Sequence, residues 1–168
     1  MHRRHLLTLG VLSAAALALG GGALALLQPG LHEGRLSESG RKVFSGASRA
    51  LLDGSLPAAD DALKLALDGL LGRIDTLVWA LPPHAQSELS QLLALLASAG
   101  GRRVLAGLDA PWQSAPVADI QQALQSMRVS GFDLRRQSYQ ALHDIVGSAW
   151  FSDPGTWSFL GYPGPLTI

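Results

Sequence analysis

An all-α fold, a single bundle of five or six helices, is what this sequence predicts. Three observations carry that expectation. Leucine-rich segments repeat at spacings of three and four, prolines and glycines punctuate them where helix ends belong, and no stretch alternates convincingly with period two. The bundle is expected over residues 31–168, with a leader over 1–30 in front and a tail rich in Pro, Gly and aromatic residues behind.

The elements follow in order. Ser37 is placed to cap a first helix over about 38–52, whose apolar stripe is Leu36, Val43, Phe44, Ala47, Leu51 and Leu52. Gly54 follows where a left-handed cap is expected. Pro57 begins the next segment, and Asp60 and Asp61 in its first turn suit the helix dipole. Leu63, Leu67, Leu70, Leu71, Ile74, Leu77 and Val78 carry that helix to Leu81. Pro82-Pro83 stops it and starts another through Leu89, Leu92, Leu93, Leu95 and Leu96, which ends at Gly100-Gly101. A short helix over about 102–108 leads to Ala110-Pro111-Trp112. Pro116 opens a helix through Ile120, Ala123, Leu124 and Met127 that ends near Gly131, and a last long helix runs from Asp133 to Phe151.

The leader reads as an export signal. Arg3 and Arg4 stand directly before a run from Leu6 to Leu27 without a charged side chain. The order Arg3-Arg4-His5-Leu6-Leu7 fits the arginine pair, variable residue and two apolar residues of a twin-arginine signal. His2 stands where Ser or Thr is more usual, which leaves an ordinary secretory signal open. The run is also long enough to span a bilayer as a retained anchor, although Gly10 and Gly20-Gly21-Gly22 weaken such a helix. Ala23-Leu24-Ala25 supplies a small-x-small cleavage site. The expected location is the periplasm, free or anchored to the inner membrane.

Composition excludes several classes. The chain has 13 Lys+Arg and 13 Asp+Glu, and Arg3 and Arg4 are the only charges of the leader, so the remainder is slightly acidic. That gives no overall electrostatic footprint for nucleic acid. With no cysteine, there is no disulfide framework, thiolate metal site, iron–sulfur cluster or covalently attached haem.

Catalytic patterns are sparse. His32, His84 and His143 are far apart and form no two-histidine metal spacing. His143 precedes Asp144 on a helix, where adjacent side chains diverge by about 100°; a structural or surface role is expected, with a general base or metal ligand as the rival. Gly100-Gly101-Arg102-Arg103 lacks the G-K-[ST] of a phosphate loop and reads as a cap followed by a basic turn. Asp60-Asp61 are better explained by the dipole than by acid–base work, and Ser45, Ser48 and Ser130 lie in no nucleophile-elbow motif. The chain is therefore read as no enzyme in its own right, with no cofactor or metal of its own.

The carboxyl end stands out. Of ten aromatic residues, five (Trp150, Phe151, Trp157, Phe159 and Tyr162) fall between 150 and 162. They lie among Asp153-Pro154-Gly155 and Gly161-Tyr162-Pro163-Gly164-Pro165, a composition too rich in Pro and Gly for a helix or central strand. Two readings compete: a tail wrapped over its own bundle, and an arm in which Trp150, Phe151, Trp157, Phe159, Tyr162 and Pro163 dock on another protein, since aromatic residues dominate interface hot spots.

A family resemblance joins these observations. Leu81-Pro82-Pro83, Leu92-Leu93-Ala94-Leu95-Leu96, Ala106-Gly107-Leu108 with Trp112, and the run Leu134 to Asp144 carry it. So do Ala149-Trp150-Phe151, Trp157 and Gly161-Tyr162-Pro163-Gly164-Pro165. The chain resembles the small exported proteins that accompany glucose–methanol–choline-type flavoprotein dehydrogenases, and more distantly the small subunit of membrane-bound gluconate and glucose dehydrogenases. The resemblance implies an FAD-dependent large subunit as partner, the twin-arginine machinery as carrier, and an escort role without catalytic residues. The chain departs from some members in lacking cysteine. A stand-alone periplasmic helical protein with an apolar Leu- and Trp-lined ligand pocket is the alternative.

Overall fold

The computed structural model describes residues 28–162. Among them the chain forms six α-helices and one two-stranded hairpin. The bundle is the predicted class; the hairpin was not foreseen. Its strands, β1 (Leu31–His32) and β2 (Arg35–Leu36), pair antiparallel with Leu31 opposite Leu36. Glu33 and Gly34 make the two-residue turn, both at positive φ (50° and 75°), as a type I′ connection requires. Leu31 and Leu36 are both buried, so Leu36 joins the core from a strand and not from the first helix.

Helix α1 (Glu38–Leu51) starts at Ser37, whose side chain accepts from the Gly40 N–H at 3.2 Å. It buries Val43, Phe44, Ala47 and Ala50, while Leu51 and Leu52 are half-buried. Gly54 does take the left-handed conformation, with φ 80°, one residue beyond the usual cap position. Helix α2 (Asp60–Trp79) begins three residues after Pro57, and its first turn is solvent-exposed; Leu67, Leu70, Leu71, Ile74 and Val78 face inward. Asp75 of α2 accepts from the Leu36 N–H at 2.7 Å and from Arg41 at 2.8 Å, which fastens hairpin, α1 and α2 together. Pro83 is the first residue of α3 (Pro83–Ala97), which buries Ala85, Leu89, Leu92, Leu93, Ala94 and Leu96.

The expected short helix over 102–108 has another form. Ser98 stops α3: its hydroxyl donates to the Leu95 carbonyl and accepts from the Gly101 N–H. A single turn, α4 (Ala99–Gly101), runs on as a π-helical turn, Arg102–Ala106, closed by Gly107 at φ 71°. Trp112 follows, 2% exposed, and its indole N–H donates to the Leu96 carbonyl at 2.8 Å. Helix α5 (Val117–Arg128) buries Ile120, Ala123, Leu124 and Met127. Helix α6 (Asp133–Phe151) has the predicted bounds and buries Leu142, Val146, Ala149 and Trp150. These side chains and most of the buried ones of α1 to α3 make one continuous core.

One crossing is tight enough to test. A Cβ on Gly46 would stand 2.4 Å from the Trp112 carbonyl oxygen and 2.8 Å from its carbon. Alanine improves intrinsic helix propensity by about 1 kcal/mol, yet overpacking against backbone costs about 1–3 kcal/mol. Since Trp112 is held by its indole bond, the clash is expected to win. Gly46→Ala should lower the melting temperature by several degrees; a rise would show that the loop yields.

Candidate docking surface

The carboxyl end is built by carbonyl groups that α6 leaves without helical partners. Three consecutive ones are taken up by side chains. The Ala149 carbonyl accepts from Arg73 Nε at 2.8 Å and from Ser152 Oγ at 2.9 Å. Trp150's accepts from Thr156 Oγ1 at 2.9 Å, and Phe151's from the Trp157 indole N–H at 2.9 Å. Asp153 accepts from the Gly155 N–H and forms an ion pair with Arg73 at 3.2 Å. The segment Pro154–Leu160 accordingly folds as a 3-10 helix, where its composition argued against any helix. Gly161 at φ 65° then turns the chain so that the Tyr162 N–H donates to the Trp157 carbonyl, and the two rings meet at 5.4 Å between centroids.

This sorts the candidate residues. Trp150 is 6% exposed and part of the core, so it supports the turn from beneath and does not offer its face to a partner. Trp157 is half-buried, while Phe151 and Tyr162 are 39% and 48% exposed. Pro163 and the side chain of Phe159 lie outside the described residues, as do Arg3, Arg4, Leu6 and Leu7 of the expected export signal. Beside the turn, a groove of about 410 Å³ is lined by Leu65, Ala66 and Gly69 of α2, by Pro57, and by Trp150 and Thr156. Arg73 and Thr156, which with Asp153 hold the turn in place, carry no signal in the sequence. The Asp153-Pro154-Gly155 pattern is the readable part of the turn.

The rival sites look different. Contrary to the expected divergence, His143 Nδ1 does reach Asp144 Oδ1, at 3.1 Å, and the ring stacks on Tyr139 at 5.5 Å. Both side chains of the pair are more than half exposed, and Asp144 also accepts from Gln140. Ser48 is enclosed in the core, and Ser130 accepts from the Phe132 N–H. Asp60 and Asp61 are exposed on the first turn of α2. Arg103 pairs with Asp109, and Arg102 is 7% exposed with its guanidinium on backbone carbonyls. Among the described residues no group of three or more His, Asp or Glu could hold a metal ion, and no helix is long and apolar enough to cross a membrane. A larger groove, about 650 Å³, is lined by Gln28, Glu38, Lys42 and Arg102 together with Val43, Ala97, Pro111 and Trp112, a mixed lining without Leu. There the hydrogen bond from Lys42, and then its charge, hold the exposed Glu38 carboxyl below the usual carboxylate range.

No family model, curated protein or solved structure matches the chain. The surface itself has to carry the functional reading.

Proposed function

We propose that this chain is a non-catalytic accessory subunit. It escorts a folded FAD-dependent dehydrogenase of the glucose–methanol–choline type through twin-arginine export, and stays on as its structural partner in the periplasm. The observation that carries this reading is the aromatic turn. Phe151 and Tyr162 stay substantially exposed on a segment whose backbone is fixed by Arg73, Thr156 and Trp157. A preformed aromatic surface binds with little ordering cost, which is the economy that interface hot spots use. The arginine pair and the family resemblance supply the rest. A flavoprotein that folds around its cofactor before export needs a carrier for folded proteins, and a tightly held subunit provides the signal in trans if dissociation is slower than transport.

The test follows the partner. An affinity-tagged full chain, produced in its own host, is expected to bring down a flavoprotein in stoichiometric amount from the periplasm. With Arg3→Lys and Arg4→Lys together, the charge remains but the guanidinium geometry is lost, and both proteins should stay in the cytoplasm. Undiminished export of the double-lysine variant would remove the twin-arginine assignment. Absence of flavin from every complex would remove the escort role.

A further inference from the structure

The geometry points to a second contact surface, whose occupant is the anionic surface of a lipid bilayer. It lies where the π-helical turn, the end of α5 and the start of α6 meet, and it stands whether or not the aromatic turn holds a flavoprotein. Arg135 draws these elements together: its Nε donates to the Leu105 carbonyl at 2.8 Å and its Nη2 to Ser126 Oγ at 2.8 Å. At this junction three large apolar side chains face water. Val104 is 71% exposed on the turn, Val129 65% at the carboxyl cap of α5, and Phe132 74% at the amino cap of α6. A single exposed apolar side chain is ordinary, but three on the caps and turn of one bundle end are not.

The charge around them has one dominant sign. Arg102, Arg103, Arg128, Arg135 and Arg136 belong to this end, against Asp109 and Asp133. The rest of residues 28–162 holds six basic and eleven acidic side chains, so the slight overall acidity hides a basic pole. Arg102 and Arg135 are engaged within the fold, while Arg103 and Arg136, 61% and 45% exposed, form ion pairs with Asp109 and Asp133 and leave this end with a net excess of three arginines. Arg128 makes no ion pair among the described residues; its Nε donates only to Gln125. Apolar side chains flanked by arginines suit an interface whose acyl boundary takes the former and whose phosphates take the latter. Residues 1–27, with their apolar run, join the described fold at Gln28, which lines one groove with Arg102. Arg102 opens the π-helical turn, so the leader joins the fold across that groove from the turn. That placement favours a bilayer over an acidic protein.

A fluorophore can read the contact without confusion from the leader. The chain has no cysteine, so Phe132→Cys offers a unique site for an environment-sensitive label. Leu65→Cys is the control: Leu65 is 76% exposed and lines the groove beside Trp150, at the far end of α6, about 27 Å away along the helix. The labelled full chains are mixed with vesicles of phosphatidylcholine containing about one third phosphatidylglycerol. Emission at position 132 is expected to rise about threefold and shift to the blue, as a label entering the acyl boundary does. Position 65 should stay unchanged. The response at 132 should fall on pure phosphatidylcholine, in about 0.5 M salt, and when Arg103→Gln and Arg128→Gln are added. A label at 132 that remains in water while the chain floats with the vesicles would overturn the proposal, because the leader alone would then be the anchor. Equal responses on neutral and anionic vesicles would also overturn it, as would a response to polyglutamate but not to vesicles, which would give the face to an acidic protein.

Discussion

The double variant Phe151→Ala, Tyr162→Ala is expected to lose the proposed flavoprotein partner while melting at nearly the wild-type temperature. Both side chains are substantially exposed, and neither caps a carbonyl, so the isolated fold has little to lose from them. At an interface centre the same truncations would cost about 2–4 kcal/mol, or roughly 30- to 1000-fold in affinity. The neighbouring positions provide contrast. Trp150→Ala removes a core side chain and should cost about 3–5 kcal/mol of stability, so loss of binding there reports unfolding. Trp157→Ala lies between, because its indole both caps Phe151 and packs on Tyr162. Melting curves and pull-downs on one set of preparations separate the accounts. If the double variant still co-purifies with the flavoprotein, the turn is a structural cap and the partner sits elsewhere.

Why Trp150 differs from Phe151 was legible in part. Leu142, Val146, Ala149 and Trp150 fall at helical spacing on one face, so the period that defined α6 already placed that tryptophan inward. The aromatic cluster obscured it. Local signals elsewhere served well: Pro82-Pro83 and Ser37 fix helix starts because capping and proline geometry depend on neighbours in sequence. The hairpin escaped because strands of two residues cannot show alternation, and Glu33-Gly34 is a weaker turn signal than Asn-Gly. The 3-10 turn escaped for another reason. Its stability comes from Arg73, far away in the chain, and from side chains reaching carbonyls that only the finished helix exposes. The basic pole was hidden likewise, since net charge near zero says nothing of where charges gather.

Arg102 offers the sharpest test of how the fold holds together. It stands 7% exposed, donating through Nε to the Leu108 carbonyl at 3.1 Å and through Nη2 to the Asp109 carbonyl at 2.9 Å, with a longer contact from Nη1 to the Ala97 carbonyl. Replacing a buried charge by an apolar side chain of similar volume is often harmless, because the desolvation penalty of the ion disappears with it. Here the acceptors are backbone carbonyls, which no substitution at 102 removes. Arg102→Met would leave them without their donor, at about 1–3 kcal/mol for each that stays dry. The penalty on the carbonyls should exceed the relief from discharging the site. The variant is expected to lose about 2–4 kcal/mol, which for a domain of this size lowers the melting temperature by roughly 5–15 °C. Lysine should rescue only partly, since a single ammonium cannot span carbonyls that the planar fork reaches together. An Arg102→Met variant as stable as the parent would mean that water replaces the guanidinium at once, and that the Trp112 indole bond and the Arg103–Asp109 ion pair hold the loop from Gly107 to Trp112 without it.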